Sequence, residues 1–507
     1  MATTAPGGAP LPGPSRPFVL GITGGIAMGK STVTAQLRAI GVPVHDSDAA
    51  VHRLYALGGA AVAPIADAFG PRVVQDDGAV SRPALSAALR ADPSLFATLD
   101  GLVHPLVRAD REAFVASHSS SGDEGARGSH WLVGADVPLL FETMPTAAAR
   151  RVEGIDRVLV ASCPPAVQRH RALQRPNLTP AKLDDILARQ ASDSDRRAGA
   201  DFVVDTDAGA GEEPRSRASA KCRVAECIEA LARGPAAEGY AAWARASPST
   251  PPRAVSLDLD DTLWPTLPPL KDAKLELVAA MRERLPRSHG GNDATCESRL
   301  GVSMRRSCKD PAHTSLLHDL TELRRIALAN LAEEFGDADA DENVAAVLER
   351  FTEARGERTD AYLLPAALPA VAALRERGLA VGALTNGNAR RCGRLGAAVD
   401  FWVGAGDCGA AKPALAPFLA ACAAAGNIRP GELVHVGDSV ESDVAGALAA
   451  GCRAVWCPQL VREGYDGARK LREEEERWEA VIKGSESKAR RIECLEELPA
   501  VLSEWCR

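Results

Sequence analysis

The chain of 507 residues lacks several features that would each point to a particular class of protein. No apolar run reaches the roughly 20 residues that a membrane-spanning helix needs, so we expect no membrane partner. The net charge of -8 argues against a protein that coats nucleic acid. The twelve cysteines form no C-x-x-C pair, which leaves no obvious zinc site and is typical of reduced thiols in a cytoplasmic protein.

Length and composition divide the chain into regions. A chain of this length is expected to form two domains of ordinary size. Small residues, Pro and Ser at 234–252 predict a linker between one domain at 17–233 and another at 253–507. Residues 1–16 lack the apolar segment of a secretory signal, so we expect a flexible tail there, with a short organelle-targeting segment as the alternative.

Strand-like apolar runs alternate with helical stretches on both sides of the predicted linker. The clearest runs are RVLVAS and DFVVD before it, and AVSLDL, VGALT and LVHVGD after it. This alternation predicts two α/β domains, each with a parallel sheet. The polar stretches 119–129 and 287–313 indicate surface insertions, and the tail from Arg469 onward indicates a solvated helix.

The stretch GITGGIAMGKST at 21–32 follows a strand-like run and contains the pattern G-x-x-x-x-G-K-S. In such a loop backbone N–H groups approach phosphate oxygens, while Lys30 would neutralise the β and γ phosphates and Ser31 would offer a hydroxyl to Mg²⁺. A glycine-rich turn without a ligand is the alternative, which the strand-to-helix context disfavours. The predicted nucleotide-binding residues are Gly24, Gly25, Ala27, Gly29, Lys30, Ser31 and Thr32.

Two aspartates, Asp46 and Asp48, follow the next apolar run, where a parallel sheet places its functional groups. A carboxylate there could accept a proton from an acceptor hydroxyl or hold the water shell of a metal. Either aspartate could instead cap the following helix. The residues by themselves leave these two interpretations open.

Seven stretches occur in the order and spacing of dephospho-CoA kinases, over roughly residues 17–232. They are GITGGIAMGKSTV, HDSDAAVHRL, DGAVSRPAL, LDGLVHPLV, DVPLLFE, QRHRALQR and RRAGADFVVD. The resemblance implies transfer of the γ-phosphoryl group of ATP to the 3′-hydroxyl of dephospho-CoA. It also implies that Asp48 is the catalytic base and that Asp46 is a helix cap or an outer partner of the metal.

The same resemblance assigns further side chains to substrate and nucleotide. Arg82 and His104 fall in stretches that shape the acceptor side, and Arg169, Arg175 and Arg197 fall in the lid and adenine-side segments. The family usually has Gly-Ser where Ala27-Met28 stands. We expect Ala27 to adopt a negative φ and Met28 to point away from the nucleotide.

The second half opens with the pattern D-x-D-x-T in AVSLDLDDTLWP, which gives Asp258, Asp260 and Thr262 at a strand end. Asp258 could attack a phosphoryl group, and Asp260 could protonate the leaving alkoxide and then activate water. Further polar residues follow other strand-like runs, where a parallel sheet brings them to the same edge. They are Thr385 and Lys412, which would bind the transferring oxygens, and Asp438 and Asp443, which would hold Mg²⁺ together with Asp258 and Asp260.

This second set resembles the haloacid dehalogenase superfamily of phosphatases across roughly residues 253–460. The resemblance implies a Rossmann-like domain with a helical cap at about 266–364 and hydrolysis of a phosphomonoester through an aspartyl-phosphate. The segments HDLTELRRIAL, LTNGNA and GAGDCGAAKP are most similar to a bacterial group that acts on flavin-pathway phosphates. The alternative is that Asp438 and Asp443 only cap helices and that Lys412 is a surface charge.

The sequence therefore predicts a bifunctional cytoplasmic enzyme that uses ATP and Mg²⁺. A P-loop kinase domain with a parallel sheet is followed by the haloacid dehalogenase domain, and both act on small molecules. One alternative keeps the kinase and makes the second half a non-catalytic or regulatory binding module. Another is a P-loop kinase with a different small acceptor, which DVPLLFE and LVHPLV oppose.

Overall fold

The computed structural model describes residues 16–119, 129–176, 178–207, 213–245, 250–463 and 467–505. The expected tail and the expected insertion at 119–129 lie almost wholly outside these ranges. By packing, the chain divides into two compact units. The first unit comprises Met1–Arg38 and Val42–Val204, and the second comprises Ala39–Gly41 and Asp205–Arg507.

The first unit carries a five-stranded sheet with helices between the strands. Its strands are β1 (Phe18–Thr23), β2 (Val44–Asp46), β3 (Leu132–Asp136), β4 (Arg157–Ser162) and β5 (Phe202–Asp205). Its helices are α1 (Lys30–Ala39), α2 (Ser47–Tyr55), α3 (Val62–Phe69), α4 (Arg82–Ala91), α5 (Leu95–Ser117), α6 (Leu140–Thr143), α7 (Ala147–Val152), α8 (Pro165–Leu173), α9 (Pro180–Arg189) and α10 (Asp193–Ala198).

The strand order of this sheet is β2-β3-β1-β4-β5, and β1 pairs in parallel with β3 and with β4. After β1 the chain adds β2 and β3 on one side of this strand and then β4 and β5 on its other side. The end of β1 is therefore a switch point of the kind at which α/β folds bind ligands. Strand β2 pairs with β3 in a register that sets Asp46 opposite Asp136. These carboxylates and the loop after β1 consequently share the carboxyl edge of the sheet.

The second unit carries a six-stranded sheet. Its strands are β6 (Ala254–Leu257), β7 (Ala380–Thr385), β8 (Phe401–Gly404), β9 (Leu433–Gly437), β10 (Arg453–Trp456) and β11 (Ala489–Arg491). Its helices are α11 (Glu213–Arg233), α12 (Ala237–Ala244), α13 (Leu267–Arg284), α14 (Pro286–His289), α15 (Asp293–Lys309), α16 (Leu320–Phe335), α17 (Ala340–Tyr362), α18 (Ala367–Glu376), α19 (Gly393–Ala398), α20 (Ala405–Cys408), α21 (Leu415–Ala424), α22 (Gly446–Ala449), α23 (Gln459–Glu463), α24 (Gly467–Val481) and α25 (Leu498–Trp505).

The order of this second sheet is β11-β10-β9-β6-β7-β8, and its neighbouring strands pair in parallel. The chain builds outward from β6 on one side through β7 and β8, and then on the other side through β9, β10 and β11. Strand β6 is therefore the switch point, and the loop after it faces the expected ligand crevice. The two parallel α/β sheets predicted from the sequence are confirmed.

Helices α13 to α17 occupy the segment expected to form the cap and have an apolar core of their own. The stretch 287–313 was expected to be an irregular surface insertion, and this expectation is wrong. Most of it forms α15, whose N-cap Asn292 accepts a hydrogen bond from the Thr295 amide at 2.9 Å. Cys296 and Leu300 on α15 are buried in the cap core, so the polar composition hides an amphipathic helix.

Helix α11 lies ahead of the linker expected at 234–252 and α12 lies inside it, and both helices pack within the second unit. Lys221 on α11 donates to the Gly406 carbonyl at 2.9 Å, and Glu229 accepts from the Leu415 amide at 2.9 Å. Tyr240 on α12 donates to the Ala450 carbonyl at 2.8 Å. By packing, the first unit thus ends at Val204, because these hydrogen bonds attach the following helices to helical segments of the second unit.

The tail from Arg469 contains more structure than the solvated helix expected. Helix α24 is present, and strand β11 then pairs in parallel with β10 at the edge of the second sheet. Helix α25 follows and buries Leu498 and Leu502 in the core of the second unit. Across the described residues, no helix combines the length and hydropathy needed to cross a membrane.

Candidate active sites

The lysine of the phosphate-binding loop lies against a buried carboxylate. Lys30, the first residue of α1, forms an ion pair with Asp136 at the end of β3. Thr34 donates to the other oxygen of Asp136 at 3.2 Å. Burial raises the pKa of Asp136, while Lys30 acts against the shift. Asp136 thus holds the lysine ammonium at the mouth of the loop, where phosphate oxygens would bind.

The backbone of the loop departs from the sequence expectation at Ala27. Ala27 has a φ of 58°, in the left-handed region, and Gly29 has a φ of 85°. The expected negative φ for Ala27 is therefore wrong, because the loop adopts the conformation for which glycine is the ordinary choice. Met28 is buried, and its sulfur lies 4.0 Å from a guanidinium nitrogen of Arg196.

The remaining loop residues lie around the N-terminus of α1. A Cβ atom at Gly24 would lie 2.7 Å from the Ala161 carbonyl oxygen, so only glycine fits without a shift. Ser31 is exposed in the first turn of α1. The Thr32 amide donates to the Gly29 carbonyl at 3.0 Å. Exposed N–H groups and hydroxyls at a helix N-terminus fit a nucleotide phosphate with its metal.

The two aspartates after β2 have different surroundings. Asp46 is the N-cap of α2 and accepts a hydrogen bond from the Ala49 amide at 2.9 Å. Asp48 lies in the first turn of the same helix, and its side chain is exposed. The cap interpretation therefore applies to Asp46, while Asp48 stays accessible to an acceptor substrate.

The residues expected on the acceptor side lie on α4 and α5. Arg82, at the start of α4, has its guanidinium carbon 5.7 Å from the centre of the Tyr55 ring. His104 on α5 is exposed, with Nε2 3.7 Å from an oxygen of Asp100. Both side chains are open to a ligand, and no buried network fixes either of them.

The three arginines expected at the lid and adenine side are all exposed. Arg169 on α8 forms an ion pair with Asp184 on α9 at 2.7 Å. Arg197 on α10 donates to the Ser162 hydroxyl at the end of β4, at 2.9 Å. Arg175 follows α8. Arg197 thus contacts the end of β4, whereas Arg169 lies on α8 and Arg175 lies in the segment just after that helix.

In the second unit a buried lysine joins two carboxylates. The ammonium of Lys412 lies 2.7 Å from Asp258, 2.6 Å from Asp443 and 2.9 Å from the Leu384 carbonyl oxygen. Burial raises the pKa of Asp258 to about 7, although the charge of Lys412 acts against this shift. The same two carboxylates raise the pKa of Lys412, so the lysine stays charged.

Three carboxylates form a cluster at this edge of the sheet. One oxygen each from Asp258, Asp438 and Asp443 lies within 4.8 Å of the others. Burial, followed by the neighbouring charges of Asp443 and Asp258, raises the pKa of Asp438. Three acids with one lysine leave an excess of negative charge, and carboxylate oxygens are the ligands that Mg²⁺ prefers. The donor set therefore fits a magnesium ion.

The carboxylate of Asp260 lies outside this cluster. Nη2 of Arg355, on cap helix α17, donates to both of its oxygens at 2.7 and 2.8 Å. The indole N–H of Trp264 donates to one of them at 2.9 Å. The side chain of Asp260 is thus held by the cap, and it is not one of the carboxylates of the cluster in which the sequence placed it.

The other predicted residues complete the edge around Lys412. Thr385, at the end of β7, is buried and accepts a hydrogen bond from the Gly387 amide at 2.9 Å. The side chain of Asn386 forms two hydrogen bonds with the backbone of Lys412. Its oxygen accepts from the Lys412 amide at 2.7 Å, and its nitrogen donates to the Lys412 carbonyl at 3.0 Å. These bonds fix the loop that carries the lysine.

Comparison with known proteins assigns a family to each site. The family model for dephospho-CoA kinase matches residues 18–212. A dephospho-CoA kinase from Rhizobium meliloti is 46% identical over 189 residues, which are 37% of this chain and 89% of that protein. One from Mesorhizobium japonicum is 43% identical over 192 residues, or 38% of this chain and 89% of that protein. Through this region the chain belongs to the dephospho-CoA kinase family.

The model for haloacid dehalogenase-like hydrolases matches residues 252–451. A solved 2-haloacid dehalogenase from Pseudomonas syringae is 31% identical and covers 50% of this chain and 99% of its own, with a TM-score of 0.40. We call residues 18–212 the kinase region and residues 252–451 the hydrolase region. The family assignments made from sequence motifs are confirmed for both.

Sequence reasoning missed several residues of the kinase region. Asp136 stands first in the DVPLLFE stretch, but only the structure pairs it with Lys30. Gln168 donates to the Ile26 carbonyl at 3.0 Å, and Gln190 accepts from the Ile26 amide at 3.1 Å. These two glutamines fix the phosphate-binding loop from α8 and from the residue after α9.

Arg196 is a further residue that the sequence did not single out. A Cβ atom at Gly25 would lie 2.6 Å from its guanidinium, so the arginine packs directly on the loop. Arg196 is 3% exposed, and its Nε has no hydrogen-bond partner among the described residues. Of the adjacent residues Arg196 and Arg197, the buried Arg196 faces the loop and Arg197 is exposed. The sequence carries no signal that distinguishes the two arginines in this way.

His435 is one of the residues that sequence reasoning missed in the hydrolase region. It lies in the middle of β9, with Nε2 3.1 Å from Asp443 and 3.3 Å from the Lys412 ammonium. Burial and then the charge of Lys412 lower its pKa to about 4, so its ring is neutral near pH 7. The neutral ring of His435 thus contacts both the lysine and the carboxylate within the buried part of the site. A histidine inside an apolar strand was the available sequence signal.

Proposed function

We propose that the kinase region transfers the γ-phosphoryl group of ATP to the 3′-hydroxyl of dephospho-CoA and so forms CoA. The observation that supports this most is the family match combined with the Lys30–Asp136 pair at the edge of the sheet. Asp48 accepts the hydroxyl proton while that oxygen attacks the γ-phosphorus. The bond from the γ-phosphorus to the β–γ bridging oxygen breaks, and ADP leaves.

In this proposal the loop amides and Lys30 bind the phosphates, and the extra negative charge of the transition state falls on oxygens that they already contact. Mg²⁺, held through Ser31, supplies further neutralisation of the phosphates when it is bound. Asp136 keeps Lys30 directed toward the ligand. Asp46 contributes by fixing the first turn of α2, which carries Asp48.

Product analysis tests the kinase proposal. The full chain is incubated with ATP, Mg²⁺ and dephospho-CoA, and the products are separated by chromatography and identified by mass. We expect CoA and ADP in equal amounts. ADP formed without CoA, or turnover only with another hydroxyl compound, would favour a P-loop kinase with a different acceptor.

For the hydrolase region we propose hydrolysis of a phosphomonoester through an aspartyl-phosphate. Asp258 attacks the phosphorus, the bond from phosphorus to the ester oxygen breaks, and Asp260 gives its proton to the departing alkoxide. Water then attacks the phosphorus and passes a proton to Asp260, which releases phosphate and restores Asp258. Mg²⁺ on the three carboxylates reduces the repulsion between Asp258 and the anionic substrate.

The surroundings of Asp260 support a phosphomonoester over a 2-haloacid. A halide ion leaves without a proton, whereas an alkoxide needs one, and Asp260 stands two residues from Asp258 in position to provide it. The excess of carboxylates also suits a metal-bound phosphate better than a substrate that offers only a carboxylate.

The cysteine pattern supports placing both reactions in the cytoplasm.

Acid trapping tests this second proposal and also the alternative of a binding module. The chain is mixed with radiolabelled p-nitrophenyl phosphate and Mg²⁺, and the reaction is quenched in acid. We expect label on the protein that hydroxylamine removes, and no label on Asp258→Asn. Release of phosphate without labelled protein would overturn the covalent step, and no release from a broad phosphate panel that includes flavin mononucleotide would favour the binding module.

A further inference from the structure

A second cap arginine lies beside the one that holds Asp260. Arg324 on α16 has its guanidinium carbon 4.0 Å from the centre of the Phe351 ring on α17. Phe351 and Arg355 are four residues apart on α17 and therefore share a face of that helix. The two guanidinium groups are thus neighbours across the junction of α16 and α17.

Neither arginine uses all of its donors within the protein. Nη1 of Arg324 and Nε of Arg355 are buried and have no hydrogen-bond partner among the described residues. Burial and then the charge of Arg355 lower the pKa of Arg324 to about 10. Asp260 compensates the charge of Arg355, whereas the largely buried charge of Arg324 is costly to keep unless a group of opposite charge joins it.

A third donor comes from the loop after β7. Nδ2 of Asn388 is buried without a hydrogen-bond partner among the described residues. It follows Gly387, where a Cβ atom would lie 2.5 Å from a carboxylate oxygen of Asp260. Arg355 from the cap and the loop that carries Asn388 therefore border the same carboxylate.

The position of Asp260 identifies what these donors meet. In the proposed reaction Asp260 protonates the leaving oxygen, so the groups around Asp260 contact the leaving part of the substrate. The transferring phosphoryl group lies instead at Asp258, Lys412 and the metal cluster. Arg355 already has Asp260 as its counter-charge, so a neutral leaving group would leave the guanidinium of Arg324 without one.

We propose that Arg324, together with Arg355 and Asn388, binds a second anionic group on the leaving portion of the substrate. The inference rests on the proposed phosphatase function. It assigns to the hydrolase region a phosphomonoester that also carries a carboxylate or another phosphate. An arginine pair suits either group, because guanidinium donors match the planar oxygens of a carboxylate and the oxygens of a phosphate.

Two matched pairs of substrates test the inference on the unaltered protein. 3-Phosphoglycerate is compared with glycerol 3-phosphate for the carboxylate, and fructose 1,6-bisphosphate with fructose 6-phosphate for the second phosphate. In at least one pair we expect kcat/KM to be at least about tenfold higher for the doubly anionic compound, which a contact of about 1.4 kcal/mol would give. The preferred pair distinguishes the two anions.

Variants of neighbouring arginines assign the preference to its residue. Arg324→Gln should reduce the kcat/KM ratio of the preferred pair at least about fivefold, mainly through KM, and Arg324→Lys should restore part of it. Arg325→Gln is the matched control, because Arg325 forms an ion pair with Glu322 on the same helix at 2.9 Å. It should leave the ratio unchanged.

The outcomes separate the inference from the function on which it rests. Hydrolysis of p-nitrophenyl phosphate with no preference in either pair would overturn the inference alone, and so would an unchanged ratio in a folded Arg324→Gln. No hydrolysis of any phosphomonoester would overturn both proposals. If Arg324→Gln fails to fold, the preference of the unaltered protein and the Arg324→Lys ratio still decide the question.

Discussion

The kinase and hydrolase regions place their lysines in opposite surroundings. In the kinase region Lys30 is 22% exposed and has one carboxylate partner, and most donors come from the backbone of a loop. In the hydrolase region Lys412 is 1% exposed and contacts two carboxylates. The first site thus offers mainly backbone N–H groups to a ligand, and the second offers buried charged side chains.

The contrast follows from what each site must do to the phosphorus. The kinase proposal makes no covalent bond to the protein, so neutral N–H groups and one lysine are sufficient to hold the phosphates. The hydrolase proposal needs a carboxylate that attacks an anion. Such a carboxylate must be kept near positive charge, which Lys412 provides and which a metal ion would increase.

The largest expected effect comes from the buried nucleophile. Asp258→Asn keeps the size of the side chain but removes the attacking charge, so phosphate release should fall about 10,000-fold, as for other catalytic units of this kind. Phosphate release and CoA formation are measured on the same preparation. We expect CoA formation to stay within about twofold, and loss of both in a folded variant would show that the regions are coupled.

Lys30→Ala tests the other side of the comparison. Removing the only side-chain cation proposed to contact the β and γ phosphates should lower CoA formation about 1,000-fold, at the upper end for one oxyanion-binding group. Hydrolysis of p-nitrophenyl phosphate by the same variant serves as the control and should be unchanged. CoA formation at the parental rate would show that the loop assignment is wrong.

Asp48→Asn sharpens the contrast within the kinase region, because it alters proton transfer and leaves the phosphate contacts in place. We expect kcat for CoA formation to fall about 100-fold with little change in KM for ATP, as for loss of a general base. Asp46→Asn is the matched control, since asparagine also caps helices and should cost only a few-fold. Equal losses in the two variants would contradict the role given to Asp48.

The smallest expected effect concerns the backbone of the loop. Ala27→Gly removes the strain of an alanine in the left-handed region, but it also removes a buried methyl group and makes the unfolded chain more flexible. These effects oppose each other, so the free energy of unfolding of the kinase region should change by less than about 1 kcal/mol. Ala172→Gly, in α8 and in the same apolar cluster as Ala27, should cost about 1.5 kcal/mol or more. Calorimetry with and without ATP identifies the transition of the kinase region and compares the two variants.

Much of both folds followed from local sequence pattern. The alternation of apolar runs and helices predicted two parallel sheets, because strands buried on both faces show continuous apolar runs. The loop pattern and D-x-D-x-T predicted which strand ends carry chemistry, since spacing along one chain fixes these groups. The cap helix at 293–309 was missed because its buried residues are few and its polar face is long.

The contacts between segments that are distant in the sequence could be found only in the tertiary structure. The sequence by itself determined the two families, the order of the strands along the chain and the residues at the strand ends, because these depend on local pattern and spacing. Only the folded chain decided that Asp136 pairs with Lys30, that Asp260 is held by Arg355 from the cap, and that α11 is hydrogen-bonded to α20 of the second unit. Each depends on burial and charge shared by residues far apart in sequence, and such energies exist only once the sheets and the cap are assembled.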